Sequence, residues 1–146
     1  MAQHRRLEDD LGFLITRASA VLVKATNNAL APLGLKVRAF SVLAAVCDET
    51  DGITQRRLAS DVGLDPSQIV ALVDDLEQRE LVVRTTDAAD RRNKLIVATD
   101  AGVVLCRKAH AASDAVARDN FGDLERADID NLRALLRRTV YAASPK

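Results

Sequence analysis

Residues 53–99 read ITQRRLASDVGLDPSQIVALVDDLEQRELVVRTTDAADRRNKLIVAT, and the joins inside this stretch decide the fold. Thr54 can cap a helix whose apolar residues are Leu58, Ala59 and Val62. Gly63 follows, where a residue without Cβ turns the chain left-handed at little steric cost. Leu64 is the apolar residue that often closes such a turn. Asp65 then offers an N-cap oxygen, Pro66 fits the first helical position, and Gln68 stands at capping-box distance from Asp65. The helix so opened puts Ile69, Leu72, Val73 and Leu76 on one face, at i, i+3, i+4 and i+7. Ser67, Ala71, Asp74 and Gln78 lie opposite, and Val70 flanks them.

After Arg79 the apolar period changes. Leu81–Thr86 and Lys94–Thr99 are rich in β-branched residues and read as two strands. The polar segment Asp87–Asn93 joins them. Helix, tight turn, capped helix and hairpin in that order predict a winged helix-turn-helix, which sets one helix in a DNA groove and braces it with a hairpin. The bland alternative is a helical pair and a hairpin that pack and bind nothing. Arg84, Arg91, Arg92 and Lys94 gather on the wing, while Arg56 and Arg57 open the first helix of the motif. All six are candidate DNA contacts.

The flanks are helical. Leu7, Leu11, Leu14, Ala18, Val21, Leu22, Ala25 and Ala29 recur at helical spacing and predict one long helix ending near Leu33-Gly34. A short helix from about Val37 to Cys47 carries Phe40, Val42, Leu43 and Val46. After the wing, Thr99 caps a helix containing Val103, Val104, Cys106, Ala109, Ala112 and Val116. A last helix spans about Leu124–Ala142, with Ile129, Leu132, Leu135, Leu136 and Val140. The expected fold is mainly α with a small β-wing: a winged lobe over 37–99 between dimerisation helices at 7–33 and 100–142, in a single protomer over 1–146. Long apolar stripes are normally buried against a partner, and a second copy on a two-fold axis is the simplest one. The alternative is a monomer whose ends fold back on its own core.

Composition narrows the remaining classes. The chain has 146 residues, 48% of them hydrophobic, with no Trp and a formal net charge of zero. Within Thr54–Lys94 seven Lys/Arg stand against eight Asp/Glu, so the distribution of charge and not its sum must carry any DNA binding. No apolar run approaches the ~20 residues of a membrane span. MAQHRRLEDD lacks a signal-peptide core, so a cytoplasmic protein is expected. Cys47 and Cys106 have neither metal-ligand nor disulfide-framework spacing. They read as small reduced packing residues, or else as a redox sensor, for which only Arg107 and His110 near Cys106 could stabilise a thiolate. No cofactor or metal is expected. An enzyme is disfavoured, because neither His4 nor His110 has a nucleophile at catalytic spacing. Asp74 and Asp75 also diverge by ~100° around a helix and cannot share a proton.

Two segments carry a family resemblance, LDPSQIVALVDDLEQRELV at 64–82 and DRRNKLIVATDAG at 90–102. The first resembles the recognition helix, and the second the wing signature, of the MarR family of bacterial transcription regulators. The order of elements is similar from about Leu7 to Val140. The resemblance implies a homodimer on pseudo-palindromic double-stranded DNA. Recognition helices would enter successive major grooves and wing arginines the flanking minor grooves. It places Ser67, Gln68, Val70 and Ala71 at the groove-facing positions. It makes Arg92 the groove-reading arginine and Asp90 the residue that holds it. Two positions depart from the usual pattern: Ala71 offers a methyl group where a long polar side chain is common, and Asp74-Asp75 adds negative charge. A winged-helix protein-interaction module without DNA is the alternative function.

The resemblance also implies a small aromatic or phenolic effector bound where the dimer helices meet the DNA-binding lobe. Phe13, Arg17 and Phe40 are candidates, offering a cation and two aromatic faces to an anionic ring. Equally, Phe13 and Phe40 can be core and Arg17 solvated. Gln68 likewise has two readings, base contact or capping partner of Asp65.

Overall fold

The computed structural model describes residues 4–142. Six α-helices and one hairpin follow each other as α1 (Leu11–Leu30), α2 (Val37–Asp48), α3 (Gln55–Val62), α4 (Pro66–Gln78), β1 (Val82–Thr86), β2 (Lys94–Ala98), α5 (Asp100–Asn120) and α6 (Arg126–Tyr141). The mainly helical winged architecture is as expected, and the central boundaries agree because their caps are local. The side chains of Thr54, Asp65 and Thr99 accept from the third residue of α3, α4 and α5 respectively. Gly63 takes φ 74°, so the α3–α4 turn closes without strain.

The first helix departs from the expectation. Its apolar spacing begins at Leu7, but Leu7–Asp9 form one 3-10 turn, and the Asp10 carboxylate accepts from Phe13 N–H to start α1 at Leu11. At the other end a second 3-10 turn, Ala31–Leu33, leads to Gly34.

The core is built from α2, α3, α4, the wing root, the first half of α5 and the C-terminal end of α1. Leu30, Val42, Leu43, Leu58, Ile69, Val73, Leu76, Val82 and Ile96 are all fully buried there. The wing pairs antiparallel, with Val82 opposite Ala98 and Thr86 opposite Lys94. Its root is broader than two strands. Ile53 exchanges both backbone hydrogen bonds with Ile96, at 3.0 and 2.8 Å, and ties β2 to the residue before the α3 cap.

The terminal helices behave differently. α1 buries only Leu30, and α6 buries no residue at all. Leu11, Leu14, Ile15, Val21, Leu132, Leu135, Leu136, Val140 and Tyr141 all lie open on the surface. Among the described residues no single helix is long and apolar enough to cross a membrane.

Candidate nucleic-acid interface

The recognition helix α4 presents Ser67, Val70 and Ala71 to solvent, and its buried face (Ile69, Val73, Leu76) fixes that orientation. Its N-terminus is tightly organised. Asp65 Oδ1 accepts from Gln68 N–H at 3.0 Å and from the Ser67 hydroxyl at 2.5 Å. These two bonds, the Ser67 one first, hold the Asp65 carboxyl below the ordinary carboxylate range, with a further contribution from the Arg38 guanidinium. The Gln68 carboxamide has two orientations. In one, its oxygen completes the capping box by accepting from Asp65 N–H, but at 3.4 Å. In the other, its amino group donates to Asp65 Oδ2 and its oxygen accepts from Arg38 Nη1, each at 3.0 Å. The second satisfies both ends with better geometry, and amide orientation is assigned on that ground. Gln68 is therefore the capping partner of Asp65, as one of the two readings expected, and in the second orientation it also bridges α2 to the α4 cap.

The wing tip holds its arginines outward. Asp87 and Asn93 close the loop, with Asp87 N–H donating to the Asn93 carbonyl at 3.0 Å. Asp90 Oδ1 accepts from Arg92 N–H at 3.1 Å and lies 3.5 Å from the Arg92 Nε. The Arg92 side chain is 93% exposed, so the carboxylate meets the guanidinium only at Nε and leaves its two Nη groups in solvent. Arg91 and Lys94 are exposed beside it.

Arg84 corrects the sequence reading. Its guanidinium donates to Asp74 at 2.6 Å, Glu77 at 2.7 Å and Gln55 at 3.1 Å, and its side chain is only 22% exposed. It braces the wing against α3 and α4 and has no free edge for a phosphate. The same contacts account for the acidic half of α4: Asp74 and Glu77 neutralise Arg84. Arg57 is also engaged, with Glu49 at 2.5 Å and Asp61 at 3.5 Å, whereas Arg56 is exposed.

The suggested effector residues differ in their surroundings. Phe40 is core, packed edge-to-face on His110 with ring centroids 5.0 Å apart. Phe13 is half-buried and Arg17 exposed on α1. A cleft of about 670 Å³ instead opens between α1, the α1–α2 turn and α4. Asn27, Gly34, Lys36, Arg38, Leu72 and Asp75 are on its walls. Asn27 Oδ1 accepts from Val37 N–H at 2.9 Å and caps α2 from the neighbouring helix. Arg79, just past α4, donates to the carbonyls of Gly34 and Leu33 at 2.9 and 3.2 Å. Sequence reasoning passed over Lys36 and Arg38. Their one local signal is two cations at a helix N-terminus, the end that disfavours positive charge.

Cys47 and Cys106 meet within hydrogen-bonding reach between α2 and α5. Burial, then the neighbouring thiol and Asp48, pushes Cys47 up to about 12, and burial likewise raises Cys106. Both thiols should stay protonated at neutral pH and label slowly with iodoacetamide in the native protein, but rapidly once it is unfolded. Fast native labelling would contradict this.

An exposed helix-turn-helix with a basic-tipped wing defines a DNA-binding regulator of the winged class. Residues 33–93 match the sequence profile of the MarR family. The HTH-type transcriptional regulator SarZ of Staphylococcus aureus (strain USA300) is 30% identical over 129 residues, 87% of this chain and 86% of SarZ. CouR from Rhodococcus jostii RHA1, solved bound to p-coumaroyl-CoA, is 44% identical with a TM-score of 0.89, over 97% of this chain and 99% of that one. A transcriptional repressor also called CouR, solved on a 23-mer DNA duplex, is 28% identical with a TM-score of 0.81, over 93% of this chain and 96% of that one. The chain belongs to the MarR family.

Proposed function

We propose that this protein is a homodimeric repressor of a pseudo-palindromic operator, released by a small aromatic effector. The observation that carries the reading is the wing tip, where Asp90 steadies Arg92 and leaves its two Nη groups in solvent. A narrow minor groove concentrates negative potential and attracts such a side chain. In the major groove Ser67, Val70 and Ala71 meet base edges, and the two apolar groups suit thymine methyls. Arg56, Arg91 and Lys94 supply phosphate contacts. Gln68 acts mainly through the α4 cap, and Arg57 and Arg84 hold the lobe together.

The domain reading follows: a winged lobe over 37–99 carried by dimerisation helices at 7–33 and 100–142. The reading needs no catalytic step and no cofactor, and it places the protein in the cytoplasm with the DNA. The effector is a phenolic acid or its coenzyme A thioester, on the ground that the 44% identical CouR binds p-coumaroyl-CoA. It sits in the cleft beside α4 rather than against Phe13, Arg17 and Phe40, because Phe40 is committed to the core.

Footprinting the purified protein on its own genomic DNA tests the reading and defines the operator. Affinity for that site should fall steeply between 50 and 200 mM salt, as phosphate contacts require. A duplex affinity indifferent to salt and sequence would favour the protein-interaction alternative. Arg92→Ala should weaken operator binding by about 1–3 kcal/mol and leave the melting temperature unchanged. Unaltered affinity at fixed salt would remove Arg92 from the interface.

A further inference from the structure

The wing is anchored at its root and bare beyond it. Arg84 faces Ile96 across the hairpin, and Ile96 is bridged in turn to Ile53, so one row of three backbones ends the buried part of the sheet. Outward of that row, every wing residue from Thr85 to Leu95 is exposed or half-buried. The arm that carries Asp90 and Arg92 therefore lacks the apolar packing that fixes a core strand. Polar contacts hold its first strand at the last anchored row. Glu77 of α4 accepts from Arg84 N–H with Oε2 at 3.2 Å and from the Arg84 guanidinium with Oε1 at 2.7 Å. Asp74, three residues earlier on α4, accepts from Arg84 Nη2 at 2.6 Å, and Gln55 at the start of α3 accepts from the same nitrogen at 3.1 Å. The wing and the recognition helix are thus joined through one side chain. We propose that Arg84 is a positioning residue for minor-groove readout: clasped by Asp74, Glu77 and Gln55, it sets the angle of the wing to α4, so that Arg92 and the exposed face of α4 reach one half-site together. This rests on the operator reading above and adds the residues that align its two reading elements.

A lever argument gives the size of the effect. From Arg84 to Asp90 the chain reaches at most about 20 Å, at about 3.3 Å per strand residue. A tilt of about 10° at the root then moves the tip by about 3.5 Å, more than the length of a hydrogen bond. Arg92 would miss a groove that it otherwise meets.

Arginine suits this post. Its planar guanidinium presents donors in a fixed fork, so acceptors on two helices define its plane, which a single ammonium cannot do. The cluster is also open to water: Arg84 is 22% exposed, Asp74 60% and Glu77 41%. Ion pairs this accessible contribute little to folding stability. The buried root at Ile53, Val82 and Ile96 keeps the lobe folded without them. Geometry is therefore the property that the cluster supplies.

The experiment uses the full-length protein and its footprinted operator, with affinities read by fluorescence anisotropy at fixed salt. Arg92→Ala is introduced into three backgrounds: wild type, Arg84→Met, and Asp74→Asn with Glu77→Gln. The readout is the factor in affinity that Arg92→Ala costs in each, which cancels what the background itself does to charge or folding. In wild type that factor should be about five- to 150-fold. Arg84 bonds Asp74, Glu77 and Gln55 while Arg92 bonds Asp90, and substitutions at independent sites add, so a merely structural role leaves the factor unchanged. Positioning predicts that it falls toward one in both altered backgrounds. The acidic pair separates geometry from electrostatics, because removing two negative charges by itself favours phosphate binding. Its side chains are exposed enough that its melting temperature should stay near wild type, so it reports even where Arg84→Met folds poorly. A second readout is the flank: replacing A·T by G·C pairs under the wing should weaken wild type and leave Arg84→Met nearly indifferent. If Arg92→Ala costs its full factor in either folded background, the proposal falls alone. If Arg92→Ala costs nothing in wild type, the minor-groove reading falls and takes the proposal with it.

Discussion

Gly102→Ala should destabilise the protein by about 3 kcal/mol or more, although the same change inside an ordinary helix stabilises it by up to about 1 kcal/mol. Gly102 stands in the first turn of α5, where a Cβ would lie 2.0 Å from the Leu81 carbonyl oxygen and 3.5 Å from Leu43 Cδ1. The approach cannot relax cheaply, because three hydrogen bonds enforce it. Thr99 N–H donates to that same Leu81 carbonyl at 3.0 Å. The Thr99 hydroxyl donates to the Glu80 carbonyl at 2.7 Å and accepts from Gly102 N–H at 3.0 Å. Moving α5 away to admit a methyl group would leave the Leu81 carbonyl short of a partner, itself worth about 1–3 kcal/mol. The melting temperature should fall by about 10 °C for a chain of this size. Gly12→Ala is the control: its Cβ would meet only Asp10 Oδ1, at 3.4 Å, and stability should hold or rise. Equal melting temperatures for Gly102→Ala and wild type would mean that the wing root is looser than its hydrogen bonds imply.

This position also shows why part of the fold was legible in the sequence. In the run Thr99-Asp100-Ala101-Gly102 the missing Gly102 side chain answers to the distant Leu81 carbonyl, whereas the cap acts within three residues and is legible. Thr54, Gly63, Asp65 and Pro66 are local signals of the same kind, so α3, the turn and α4 fall at their expected places. The start of α1 was misplaced because Leu7 continues an apolar period that the Asp10 cap interrupts, and periodicity carries no information about caps.

The candidate site was legible where it is made of near neighbours. Asp90 and Arg92 are two residues apart, and the hairpin brings them together whatever the rest of the chain does. Arg84 was misread for the opposite reason. Its charge is plain in the sequence, but its partners lie 7, 10 and 29 residues away in Glu77, Asp74 and Gln55. Only the packing of the wing on α3 and α4 shows that the charge is already neutralised. Phe40 and Arg38 repeat the lesson within one helix. Two residues apart, they project to different sides, Phe40 into the core against His110 and Arg38 toward the α4 cap.

The other large effect concerns assembly: replacing both Leu135 and Leu136 with glutamate should give monomers or aggregates and abolish operator binding. α6 runs for 16 residues without burying one of them. Leu135, Leu136, Val140 and Tyr141 are 48%, 40%, 64% and 58% exposed, and Leu11 on α1 is 67% exposed. Soluble monomers rarely leave so continuous an apolar surface in water, and a helix of this kind needs an external partner. Two-fold symmetry counts each leucine twice. Completing the burial of four half-exposed leucines contributes about 4 kcal/mol of transfer free energy, at about 1 kcal/mol each. Glutamate removes that term and adds the cost of burying charge, so the dimer dissociation constant should rise by more than about a thousandfold. Operator affinity should fall by about a hundred- to ten-thousandfold, because a monomer loses the second half-site that the dimer holds at high effective concentration. The core of the winged lobe lies away from α6, so circular dichroism and the wing-root packing should survive. Light scattering and anisotropy read the two outcomes separately. A folded double variant that still ran as a dimer and bound the operator would move the interface to another face of the molecule.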